Sequence, residues 1–126
     1  MYQHPDDRPR FLSLTAFRFP LNAKLSAGHR ITGALLIVCL IKILALTHLL
    51  ILSPDLDFYS IQQHWITQTL IKTFWVLLAF HWLSGLRHLL AEHFIDAKPY
   101  AIINQTSISY LLIGLWLVIT LLILLS

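Results

Sequence analysis

Residues 26–52 read SAGHRITGALLIVCLIKILALTHLLIL: a hydroxyl, an imidazole, a guanidinium and two glycines stand directly before a long apolar run. A helix that crosses a hydrocarbon core about 30 Å thick needs roughly 20 apolar residues, and this run supplies them. In a helix, Ser26, His29, Arg30 and Gly33 fall at i, i+3, i+4 and i+7 and share one face at the membrane's edge. An arginine on such a face suits an anionic or carbonyl-bearing ligand, because its donors form a rigid fork and its charge is permanent.

The rest of the chain agrees with a membrane setting. Of its 126 residues, 57% are hydrophobic and only 12% charged, and the mean hydropathy is +0.72. That is too greasy for one soluble domain, and the length leaves no room for a flavin or nucleotide domain beside the spans. The formal charge of +3 does not indicate nucleic acid, since the basic residues sit beside apolar segments rather than in a stripe interleaved with aromatics. Cys39, the one cysteine, lies inside an apolar run, which excludes an internal disulfide or a cysteine-built metal centre and fits a small core residue.

These observations predict an all-α integral membrane protein, residues 1–126 forming one membrane-anchor domain with three spans at about 31–52, 65–90 and 107–125. Residues 1–24 form an N-terminal arm. Its first 20 residues carry Pro5, Pro9, Pro20, Asp6, Asp7, Arg8, Arg10 and Arg18. They lack the apolar stretch of a secretory signal and are expected to be retained, and Phe11, Leu12, Leu14, Phe17 and Phe19 suit a docking arm. The two aspartates also argue against a transit peptide, so a bacterial cytoplasmic membrane is favoured over the mitochondrial inner membrane. Ser53-Pro54 stops the first span. The loop at 53–64 holds Asp55 and Asp57 without Lys or Arg, whereas Arg8, Arg10, Arg18, Lys24 and Arg30 precede the first span. By the positive-inside rule the N-terminus faces the cytoplasm or a matrix. Lys42 within the first span costs about 2.5–3.5 kcal/mol on insertion scales, which is best met by packing against a partner. Lys72 lies close enough to the outer edge to reach headgroups. The loop at about 91–105 has mixed charges and reads as a surface for solvent or a partner. No internal repeat is apparent, and Gly28 and Gly33 do not form a phosphate loop.

A second chemical stretch closes the middle span: His81-Trp82-Leu83-Ser84-Gly85-Leu86-Arg87-His88. Helical spacing puts His81, Ser84, Gly85 and His88 on one face, and Gly85 admits a flat group or another helix close to the backbone. An intramembrane imidazole needs a hydrogen-bond partner or a metal, and b-type haem is one membrane cofactor that takes it. His81 lies roughly 10 Å deeper than Arg87 at 1.5 Å per residue, whereas His29, Arg30 and His88 are expected at the inner rim and His48 near the opposite face. On this reading the chain offers one histidine at iron depth, and a second axial ligand comes from another subunit. Each residue also has a plainer use: His81 as a histidine hydrogen-bonded between helices, Ser26 as a cap, Arg30 as a positive-inside anchor.

Taken together, the S-x-x-H-R-x-T-G pattern at 26–33, the H-x-x-x-G-x-R-H pattern at 81–88, Arg8-Pro9 and three spans in this order resemble the cytochrome b membrane-anchor subunit of succinate dehydrogenase, respiratory complex II. The resemblance covers most of the chain. It implies a subunit that is not catalytic alone. With a second small membrane-anchor subunit it holds the flavoprotein and iron–sulfur subunits at the lipid membrane, shares one haem b and helps form the ubiquinone site. Carried over by motif, His81 corresponds to the haem-iron axial ligand, His29 to the histidine beside the haem propionates, and Ser26 and Arg30 to quinone contacts, with Arg30 serving both ligands. A fumarate reductase anchor working in reverse and a haem-free membrane scaffold are the competing readings. Lys42 has no counterpart in the family pattern.

Overall fold

The computed structural model describes residues 18–53, 55–96 and 98–126. The docking-arm reading falls largely on residues 1–17, outside the described residues. Five helices follow in order: α1 Leu21–Leu52, α2 Phe58–Gln63, α3 Trp65–His93, α4 Pro99–Ile103 and α5 Thr106–Leu125. Among the described residues there is no strand, and α1, α3 and α5 are long and apolar enough to cross a membrane. The chain is an all-α membrane protein with three such helices.

Two short helices replace what the sequence suggested were loops. Asp57 caps α2, its carboxylate accepting from the Tyr59 and Ser60 amides at 3.3 and 3.0 Å, so a residue read as a loop charge in fact starts a helix. Pro99 opens α4 in the first-turn position where its missing N–H is no loss. The larger difference concerns α1. The sequence suggests a short lead-in helix after Pro20 and a span from about residue 31; the two are one continuous helix that begins at Leu21. His29 is therefore about 12 Å along the helix from its start, at 1.5 Å per residue.

Packing is thin, as expected of a bundle whose helices gain nothing by hiding apolar side chains from other apolar matter. Helix α3 is central, with α1 and α5 against it and α1 touching α5 more lightly. Leu25, Cys39 and Leu83 are the buried apolar side chains among the described residues. Most of the others face outward, Leu125 at 76% and Trp82 at 62% exposure among them, which suits lipid or a partner. Polar ties therefore matter. The Trp116 indole donates to the Val76 carbonyl at 3.1 Å, with its ring edge-on to Phe80. Lys72 donates to the Leu124 carbonyl at 3.3 Å in the last turn of α5, where a cation is favoured by the helix dipole. Lys42 and His48 lie on the exposed outside of the bundle.

Candidate functional site: a histidine pair in a glycine crossing

The two chemical stretches meet where α1 and α3 cross. The imidazoles of His29 and His81 stack with ring centroids 3.9 Å apart and planes 15° from parallel. Such an approach is possible because each ring enters a notch in the opposite helix. A methyl added to Gly33 would stand 2.9 Å from Cε1 of His81, and one added to Gly85 would stand 2.9 Å from Cε1 of His29. Gly28 admits the Phe80 ring in the same way, at 3.0 Å.

These contacts come in pairs. Nδ1 of His29 lies 3.1 Å from the His81 carbonyl and 3.0 Å from Oγ of Ser84. Nδ1 of His81 lies 3.0 Å from the His29 carbonyl and 3.4 Å from Oγ1 of Thr32. The hydroxyls themselves donate one turn back along their own helices, Thr32 to the Gly28 carbonyl at 2.9 Å and Ser84 to the Phe80 carbonyl at 2.7 Å. The hydrogen bonds of the two histidines and two hydroxyls, and the Gly33 and Gly85 notches, thus pair as residue i with i+52, in an approximate local twofold arrangement about the stacked rings. The sequence carries the signal as His-x-x-(Thr/Ser)-Gly at 29–33 and again at 81–85, although the first reading found no repeat.

A carbonyl can only accept, so both Nδ1 atoms carry hydrogen and donate, and the neutral rings hold their lone pairs on Nε2. An imidazole tied through one nitrogen to a backbone carbonyl, with the other nitrogen free, is the arrangement metal-ligating histidines normally show. Both rings line a cavity of about 380 Å³ together with Trp82, Gly85, Leu86, His88 and Leu89. His88 stands edge-on to His29 at 5.4 Å. Ser26 and Arg30 do not line this cavity. They lie on α1 next to it, Ser26 half-buried and Arg30 exposed, and among the described residues neither hydroxyl nor guanidinium has a hydrogen-bond or ion-pair partner.

Two expectations change here. His29 is not shallower than His81: the helical segment from Leu21 runs without a break into the span, and the rings of His29 and His81 stack at one level of the crossing. The chain also holds a second histidine at His81's level, contrary to the count of one. Arg87, read as a rim cation, is instead 5% exposed. It donates to the Ile103 carbonyl at 3.3 Å and to Oδ1 of Asn104 at 3.1 Å.

Residues 4–125 match the model of the succinate dehydrogenase/fumarate reductase transmembrane subunit family. The chain belongs to that family. It is similar to the succinate dehydrogenase cytochrome b556 subunit of Coxiella burnetii (strain RSA 493 / Nine Mile phase I), with 34% identity over 121 residues that take in 87% of this chain and 96% of the relative. Family membership makes this chain a transmembrane subunit of a succinate dehydrogenase or fumarate reductase complex. The paired histidine motifs that carry the resemblance are the same residues that form the α1–α3 crossing.

Proposed function

We propose that this chain, in a bacterial inner membrane, is the cytochrome b anchor of a succinate:quinone oxidoreductase. Together with a second small anchor it binds haem b and ubiquinone, and electrons pass from the iron–sulfur subunit, itself fed by the flavoprotein, to the quinone. His81 would hold the haem iron. The observation that carries this reading is the state of its ring: Nδ1 donates to the His29 carbonyl at 3.0 Å, leaving Nε2 as a lone-pair donor at a cavity. Haem b, when bound, supplies a one-electron relay through the membrane. The relative's name, cytochrome b556, points the same way.

The residues present fit such a group, but from one side. His29 and His81 are parallel rings lying against each other on the same wall of the cavity, with no space between them for a macrocycle. A haem held here by His81 would therefore take its other protein ligand from the partner anchor. His29 and Arg30 then face the haem's acidic edge. Ser26 and Arg30 orient the quinone at the basic end, where the guanidinium favours negative charge developing on a quinone oxygen. The chain contributes no chemistry on succinate.

The test uses the assembled complex. His81→Ala is expected to abolish or shift the reduced-minus-oxidised haem spectrum, and the His29→Ala/His81→Ala double variant to abolish it; a wild-type spectrum in both rejects the ligand assignment. Ser26→Ala or Arg30→Ala is expected to lower succinate–quinone turnover while sparing succinate oxidation by a soluble dye. Equal loss in both assays would mean failed assembly rather than a damaged quinone site.

A further inference from the structure

We propose that Arg87 is a positioning residue which, through Asn104, Asn22 and Ser109, fixes the head of α1 and so sets where Ser26 meets the quinone. The inference rests on the reading of Ser26 as a quinone contact and adds what holds it there. The links run without a break. The Arg87 fork grips two consecutive residues at the α4–α5 junction, the Ile103 carbonyl and the Asn104 side chain. The Asn104 carbonyl accepts from Nδ2 of Asn22 at 2.9 Å. Oδ1 of Asn22 accepts from Oγ of Ser109 at 2.7 Å, and Ser109 is fully enclosed at 0% exposure.

Three features give this network a job beyond filling space. First, α1 starts at Pro20 with no side-chain cap, so its first turn lacks the local device that keeps helix ends from fraying. The Asn22 side chain, tied to the Asn104 carbonyl and to Ser109 of α5, instead fastens that turn to its neighbours. Second, Leu25 is the buried apolar side chain near the head of α1. The crossing at Gly28 and His29 holds α1 against α3 on one side, and Asn22 adds an attachment to Asn104 and Ser109 one turn ahead of Ser26. Ser26 follows Asn22 by one turn on the same face. Third, among the described residues Arg87 has no carboxylate partner, although burying a lone cation is costly. What only a planar fork provides here is a fixed spacing between two neighbouring acceptors, which a lysine cannot reproduce.

The experiment measures KM for a short-chain ubiquinone and succinate–dye turnover in the purified complex carrying Ser109→Ala, with Arg87→Lys as a second variant. Ser109 is fully enclosed and its hydroxyl donates to Asn22, so its loss reaches the head of α1 through that link. We expect KM to rise roughly three- to tenfold, about one hydrogen bond's worth of binding, with dye turnover and the haem spectrum unchanged. In a Ser26→Ala background, Ser109→Ala should add nothing further. Asn22→Ala breaks the same link from the other side and serves if Ser109→Ala assembles poorly. A wild-type KM per assembled complex, with Ser26→Ala raising it, overturns the clasp alone, even if the yield of complex falls. A wild-type KM in Ser26→Ala overturns the quinone reading, and this proposal with it.

Discussion

A single methyl at residue 33 offers a sharp test of the His81 assignment. In Gly33→Ala the new carbon would stand 2.9 Å from Cε1, 3.4 Å from Nδ1 and 3.9 Å from Nε2 of His81. Carbon atoms rest at about 3.5–4.0 Å, so the ring must retreat by about 0.6–1.1 Å. That retreat strains its 3.0 Å hydrogen bond to the His29 carbonyl and exceeds the roughly 0.5 Å within which a ligating group must be held. Overpacking of this kind costs about 1–3 kcal/mol, while Ala in place of Gly returns about 1 kcal/mol of helix propensity. The variant should therefore assemble and still lose its cofactor. The assay is haem per flavin and the reduced-minus-oxidised spectrum of the purified complex, with an expected several-fold loss of haem or a displaced band. Gly85→Ala pushes on His29 instead, also from 2.9 Å, and should retain iron ligation with a more modest spectral change. Gly114→Ala, with nothing within 4 Å of the added carbon, is the control and should be indistinguishable from wild type. If Gly33→Ala keeps a wild-type haem content and spectrum, or if the two glycine variants behave alike, the assignment of iron to His81 rather than His29 is refuted.

Other outcomes follow from the same geometry. The chain produced alone in detergent should hold haem poorly, since its two rings share one wall; a stable bis-histidine spectrum from the isolated chain would contradict that. Thr32→Val removes the hydroxyl's bonds within α1 and, of the contacts to Nδ1 of His81, the longer one at 3.4 Å, leaving the His29 carbonyl acceptor, so haem content should stay unchanged when measured against flavin. Trp116→Phe keeps an aromatic ring against Phe80 but deletes the donor to the Val76 carbonyl. It should cost about 0.5–1.5 kcal/mol, visible as a lower thermal unfolding midpoint of the complex with its turnover intact.

Apolar run length made the three long helices legible from sequence, because crossing a bilayer imposes a length that composition alone reveals. The two histidine stretches were legible as chemistry for the same reason: polar groups stand out where most residues are Leu and Ile. Depth was not legible. Residues 21–30 read as a short lead-in helix, and their polar composition hides that they continue straight into the span, which is what brings His29 level with His81. The twofold pairing of 29–33 with 81–85 was written in the sequence but has meaning only once two antiparallel helices touch. Arg87 shows the limit of charge-counting: beside an apolar span a guanidinium suggests a headgroup anchor, and only the folded chain brings the carbonyl ends of α4 within its reach. Asn22, Asn104 and Ser109 were passed over for a related reason, since single amides and hydroxyls in first turns usually mean no more than capping.

The repeat at the crossing keeps its character at four of five positions, His/His, Ile/Leu, Thr/Ser and Gly/Gly, and changes it at one, where Arg30 corresponds to Trp82. A nearly symmetric frame is thereby given a cationic side and an indole side. On the haem reading proposed above, that one unmatched position would favour a single orientation of a flat ligand that is acidic along one rim and oily along the other.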